Sequence, residues 1–286
     1  MPPALVVLSE EDPVASRLAE RWGTPPSTGE FVDGAAIRRL ASGTLLLRRS
    51  GRHIHDEHLD RRLPPGLAGG GTTLIFPSIH RSEQNLTCLT VHPLGNPGPE
   101  AELGGRGRTV VPTDPPAMAG MLRALSEAAL PAGFRPTFEA THHGPELGVP
   151  AFFVEIGYGT APEPPPAALS VLAEVIPRLV PSAGDRIAMG VGGGHYAPHF
   201  SDLVLGRRWA LGHILSRHAL ERVDRSTAEA MYAGTPRAEG LLLARAADAI
   251  HPAIEGLAPR LRDAEAGPRD PGSGQSTRGG RSTSGT

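Results

Sequence analysis

An α/β layered sheet flanked by helices is the fold class this 286-residue chain predicts, and three observations carry the prediction. Short apolar or β-branched runs bounded by turn residues alternate with stretches whose apolar residues recur at helical spacing. A hydrophobic content of 39% is enough to build a buried core. No internal repeat breaks the pattern and no linker divides residues 1–263, which read as a single catalytic α/β domain.

The elements follow in order. Ala4 to Leu8 is an apolar run ending in Ser9-Glu-Glu-Asp12, a strand, and Pro13 to Trp22 is a helix with proline at its first position. Thr44–Leu47, Thr73–Phe76 and Leu86–Val91 are short, apolar or β-branched, and bounded by turn residues, so each predicts a strand. Pro115 to Leu130 carries Met118, Met121, Leu122, Leu125 and Leu130 largely on one helical face, with Asp114 as its cap. Strands Thr137–Ala140 and Ala151–Ile156 come next, then a helix from Pro166 to Ile176 that Pro177 ends or kinks, then the strand Ile187–Val191. From Ala264 the composition turns to Gly, Ser, Thr, Arg, Asp and Pro, so residues 264–286 are expected to be a disordered tail.

Composition excludes several functions. No apolar run approaches the roughly 20 residues of a membrane span, and no basic segment with a signal-type apolar stretch opens the chain, so a cytoplasmic protein without a membrane partner is expected. One cysteine, Cys88, excludes a disulfide framework and a Cys-rich zinc site; set in an apolar strand, it reads as a small hydrophobe. A formal charge of −2 argues against a generally basic nucleic-acid coat, although every basic side chain other than histidine is arginine. There is no Gly-x-Ser-x-Gly elbow and no Walker glycine spacing.

Four histidine-bearing segments stand at predicted strand ends: Ser78-Ile-His80-Arg-Ser82, Thr90-Val-His92-Pro, Glu139-Ala-Thr-His142-His143-Gly-Pro-Glu146 and Gly192-Gly-Gly-His195-Tyr-Ala-Pro198. Imidazoles and carboxylates together hold zinc and leave a position for water, with Glu146 and Glu155 the nearest acids. His142 and His143 are adjacent, which in an extended segment sends their side chains to opposite faces, so at most one faces a reaction centre if that segment is a strand. Gly190-Val-Gly-Gly-Gly194 permits a tight turn and close approach by a ligand, with no helix evident after it. His53-Ile-His55-Asp-Glu-His58 reads as an exposed polar helix or loop with no metal.

Taken together these segments resemble the archaeal- and plant-type D-aminoacyl-tRNA deacylases, through Ser78-Ile-His80-Arg-Ser82, Leu89-Thr-Val-His92-Pro-Leu-Gly-Asn96, Phe138-Glu-Ala-Thr-His-His-Gly-Pro-Glu146, Phe153-Val-Glu-Ile-Gly157, Gly192-Gly-Gly-His-Tyr-Ala-Pro198 and Gly212-His-Ile214, over about residues 4–255. The resemblance implies a zinc-dependent cytoplasmic hydrolase with a fold similar to phosphorylases and peptidyl-tRNA hydrolases. Its expected substrate is aminoacyl-tRNA, with no DNA partner, and the chain is expected to be a monomer. The expected metal ligands are His80, His142 or His143, and His195, with Glu146 or Glu155. His92, His143 or His213 would transfer protons or orient ligands, and the backbone around Gly193 would stabilise an oxyanion. The sequence departs from the family at Tyr158 and at His199. Other tRNA-ester or peptidyl-tRNA hydrolases, a nucleoside phosphorylase relative and a non-enzymatic RNA-binding module are the alternatives.

Overall fold

The computed structural model describes residues 4–68, 71–81, 86–206, 208–244 and 251–261; the expected tail lies outside them. In chain order the elements are β1 (Ala4–Ser9), α1 (Pro13–Trp22), β2 (Ser27–Val32), β3 (Ala35–Arg39), β4 (Leu45–Arg49), α2 (Pro65–Ala68), β5 (Thr73–His80), β6 (Thr87–Pro93), β7 (Gly95–Asn96) and β8 (Thr109–Val110). The second half adds α3 (Pro115–Glu127), β9 (Pro136–Phe138), β10 (Ala151–Tyr158), α4 (Pro166–Val175), β11 (Arg186–Val191), α5 (Pro198–Leu205), β12 (Trp209–Leu215), α6 (Arg217–Leu220), α7 (Arg225–Ala233), β13 (Leu241–Leu243) and β14 (Arg260–Leu261).

The expected α/β architecture is present, with the strands in two main sheets rather than one. The larger has the order β2-β3-β4-β1-β5-β10-β6-β9, and the smaller, all parallel, runs β12-β11-β13-β14. In the larger sheet β4, β1, β5 and β10 run parallel, and β6 is antiparallel to β10.

Period-two alternation divides the larger sheet's faces. Val6, Ile75, Leu89, Val91, Phe152, Val154 and Ile156 pack against α1, α3, α4 and residues of the smaller sheet in one continuous core. Leu5, Val7, Leu74, Phe76 and Phe153 face the other way, under Ile54, Leu59, Leu63, Leu147 and Val149 from the connecting loops. On that second face the apolar run stops along β5 and β10. The residues two positions on from Phe76 and Phe153 are Ser78 and Glu155, which are register partners, and the next pair is His80 and Gly157. An apolar layer thus gives way to a polar floor at one end of the sheet.

Helix caps tie the helices to this sheet. Asp12 Oδ1 accepts from Val14 and Ala15 N–H at 2.9 and 3.0 Å, while Oδ2 accepts from the Ser78 hydroxyl and Ile79 N–H at 2.8 and 3.0 Å, joining the start of α1 to the end of β5. Asp114, the expected cap of α3, also accepts from Thr73 Oγ1 at 2.6 Å.

One element was missed and two expectations need correction. The hairpin β2–β3 was not foreseen, although Asp33-Gly34 takes positive φ at both positions (47° and 81°), the turn that this dipeptide favours. A helix, α5, does follow the glycine turn, three residues beyond His195. The His53 segment is exposed only in part: His55 is exposed, but His53 and Ile54 are buried, with the His53 imidazole edge-on to Phe76 and Phe153 at 5.9 and 5.8 Å.

Candidate active site

The polar floor opens into a cavity of about 540 Å³ lined by His53, Ser78, His80, His142, His143, Glu155 and His195, among others. Glu155 comes from β10, His80 from the end of β5 and His92 from β6. His92 stacks on its register partner Phe153 at 5.2 Å with the rings 5° from parallel. Gly157 leaves room for this floor, since a Cβ there would lie 2.6 Å from Cys88 Sγ and 3.3 Å from the His80 ring.

The segment after β9 supplies Glu139, His142 and His143. Both imidazoles turn toward His92, with ring centroids 4.0 and 4.9 Å away, and lie 4.5 Å from each other. The condition under which only one would face inward, a strand through this segment, is not met, since β9 ends at Phe138. His143's φ of +41° breaks the extended alternation. The segment is held from behind: Gly144 passes so close to Gly105 that a Cβ would meet its nitrogen at 2.2 Å. The Glu57 carboxylate accepts from Gly105 N–H at 2.6 Å and Glu146 N–H at 2.5 Å.

Among the described residues, three overlapping groups have ligand atoms mutually within 4.8 Å: His92, His142 and His143; Glu139, His142 and His195; and His80, Glu139 and Glu155. In the first, each Nδ1 faces a backbone carbonyl, Pro93 at 3.3 Å, Ala140 at 2.8 Å and Gly144 at 2.7 Å. A carbonyl only accepts, so each Nδ1 carries the proton and each Nε2 keeps a lone pair. His92 Nε2 and both Glu139 carboxylate oxygens are buried with no hydrogen-bond partner among the described residues. Burial and neighbouring imidazoles push His142 well below the usual histidine range and His143 down to about 4. Three carbonyl-anchored imidazoles with ligand atoms this close together fit a divalent cation.

Next to this group, His80 Nδ1 lies 3.2 Å from both Glu155 Oε2 and Glu139 Oε1, and His80 Nε2 is 2.7 Å from the Tyr196 hydroxyl. The carboxylates part company electrostatically. Burial pushes Glu139 up to about 7, against the pull of His92 and His80. Burial pushes Glu155 upward too, but the hydrogen bond from His80 and the nearby His92 and His143 imidazoles prevail and hold it well below the usual carboxylate range. His80 is raised: burial lowers it, and its hydrogen bond to Glu155 with the Glu139 and Glu155 charges outweighs that.

The other expected site residues sit as follows. His195 is half-exposed (48%), its Nε2 3.6 Å from Glu139 Oε1. Glu146 is not in any of the three groups; the chain turns outward after His143 and its carboxylate pairs with Arg106 at 3.2 Å. His213 lies behind the cavity wall, fully buried, its Nδ1 3.1 Å from Thr141 Oγ1, and burial pushes it down to about 3. Gly192 N–H is spent on the Leu215 carbonyl, whereas Gly193 has a φ of +78° and its carbonyl accepts from Arg217 N–H. Tyr158 is a buried residue ending β10, and His199 packs beside Phe200 on α5 outside the cavity lining. Glu139 and Tyr196 were quoted in the sequence strings without a role. That Glu139 opens the string at the end of a strand was the signal available.

A family profile described as D-aminoacyl-tRNA deacylase matches residues 71–258. A Thermoplasma acidophilum protein of that name is 33% identical over 242 residues, 84% of this chain and 90% of the relative. A Pyrococcus abyssi protein of the same name is 33% identical, covering 72% of this chain and 76% of the relative. One from Methanoregula boonei is 42% identical over 63% of this chain but only 40% of its own greater length. The crystal structure of a conserved protein of unknown function superposes with a TM-score of 0.77 at 25% identity, covering 89% of this chain and 90% of that one.

Proposed function

Because this chain belongs to the D-aminoacyl-tRNA deacylase family, we propose that it hydrolyses the ester between a D-amino acid and the 3′ end of a tRNA, releasing free amino acid and tRNA. The observation that carries the reading is the convergence of histidines and carboxylates from separate family strings on one cavity.

His92, His142 and His143 are the residues that would hold a cation, and their nitrogen donors favour zinc. A bound divalent cation supplies a Lewis acid and lowers the pKa of water to about 7. Glu139, near 7, populates both its forms at neutral pH, which suits a group that takes a proton during attack and returns it to the leaving ribose oxygen. Glu155 stays ionised and orients His80, whose Nε2 is hydrogen-bonded with the Tyr196 hydroxyl. His80 and Glu155, expected as metal ligands, are assigned to orientation instead, because both His80 nitrogens are engaged. His195 borders the open side, and the Gly193 backbone remains the candidate oxyanion donor. His213 acts through Thr141, which precedes His142, and so positions rather than transfers a proton. Glu146 takes no part.

Incubating the protein with matched D- and L-aminoacyl-tRNAs, with and without chelator, tests the reading. The D-ester is expected to turn over far faster, and chelation to suppress it. Equal hydrolysis of both enantiomers would remove the substrate assignment, and full activity after metal removal would remove zinc alone.

A further inference from the structure

We infer that Arg52 and Arg81 form a phosphodiester subsite at the cavity mouth, gripping the backbone of the tRNA 3′ terminus while the ester lies over the histidines; this deepens the deacylase reading and rests on it. The parallel strands β4, β1 and β5 end side by side, so the segments leaving them form one rim, where ligands of such sheets bind. Arg52 follows β4, Glu11 to Pro13 follow β1, and Arg81 follows β5; all five residues line the cavity. Strands two positions apart are separated by roughly 10 Å, so the two arginines flank the β1–α1 turn from either side.

Each arginine is the chain neighbour of a histidine deeper in the cavity, Arg52 of His53 and Arg81 of His80, so a ligand gripped there is in reach of the chemistry. Both side chains are exposed, and among the described residues neither guanidinium makes an ion pair or hydrogen bond. Nearby arginines differ: Arg49 and Arg62 are each paired with both Asp33 and Asp56.

The rim acids do not neutralise the pair equally. Asp12 has both oxygens filled by four donors of its own fold. Glu11 is exposed and opposes an anion, so its removal has a definite sign. The substrate settles which end faces the arginines. Its amino-acid end carries an α-ammonium that two guanidiniums repel, whereas its phosphodiesters are what a guanidinium fork matches.

The test compares hydrolysis of D-aminoacyl-tRNA with that of 3′-O-(D-aminoacyl)adenosine, which has the ester but no phosphodiester. Arg52→Ala and Arg81→Ala are each expected to raise KM for the tRNA about tenfold with kcat unchanged, and to flatten the log–log salt dependence of kcat/KM by about 0.7. Both variants should hydrolyse the adenosine ester at the wild-type rate. Glu11→Gln should lower KM for the tRNA. Equal losses on both substrates, or none on either, overturn the subsite. A wild-type protein that hydrolyses neither substrate overturns the deacylase reading instead.

Discussion

Glu139 and Glu155 share one partner, His80 Nδ1, which stands 3.2 Å from an oxygen of each carboxylate. Two carboxylates held by one imidazole do not ionise alike, and the structure separates them, Glu139 near 7 and Glu155 far lower. Glu139→Gln, which resembles the protonated acid, is expected to keep thermal stability while reducing kcat about 10²-fold or more. Glu155→Gln removes the anion that orients His80 and should cost stability as well, about 1–3 kcal/mol. Melting temperatures and single-turnover rates of both variants check this; a Glu139→Gln protein as active as wild type would take Glu139 out of the proton path.

Zinc should stabilise the fold, because a ligand that binds only the native state adds stability by mass action, about 2.7 kcal/mol at 100 times its Kd. His142→Ala should abolish the zinc-dependent rise in melting temperature, since His142 stands in two of the three candidate groups. Glu146→Gln should leave it intact. Calorimetric scans with and without zinc distinguish the two.

His213 gives a pH dependence with a clear sign. Its folded-state pKa of about 3 lies below the value near 6.5 of an unfolded chain. The unfolded state therefore takes up a proton that the native state refuses. Stability from this group is full above pH 6.5 and falls by about 1.4 kcal/mol per pH unit as the pH drops below it. His143 and His195, each near 4, add the same sign. In urea titrations of metal-free protein between pH 7 and 5, His213→Gln should show a slope shallower than wild type by about one proton.

Glu57 is expected to be a positioning residue, because its carboxylate clasps the Gly105 and Glu146 amides behind His143. Glu57→Ala should weaken zinc affinity by about 10- to 100-fold and lower kcat, with KM for the tRNA unchanged. Glu57→Gln keeps one acceptor and should recover part of the loss. If KM rose with zinc affinity intact, the clasp would be serving the cavity mouth rather than the histidines.

Helix caps and apolar alternation made much of the fold legible: α1 starts and ends where Pro13 and Trp22 predict, and β5, β6 and β10 fall on their apolar runs. The β2–β3 hairpin escaped because Ser27-Thr-Gly-Glu-Phe-Val alternates weakly on an edge with little to bury. The site was legible as a set of strings, but not in its parts. The inward turn of both His142 and His143 depends on a left-handed backbone at a non-glycine residue, which local pattern disfavours. Glu139 becomes distinctive only when β9 brings it beside His80, and His53 only when Phe76 and Phe153 bury it.

The alternation along β10 places a parity constraint on how this gene can change. Phe153 and Glu155 point to the cavity side while Phe152, Val154 and Ile156 point to the helices. Inserting or deleting one residue before Glu155 would turn the carboxylate into the helix-packed layer and thrust Val154 or Ile156 into the cavity, so catalysis and folding would fail together. Length changes in this strand are therefore tolerable only in pairs, and variants with a crippled but well-folded floor should arise by substitution alone.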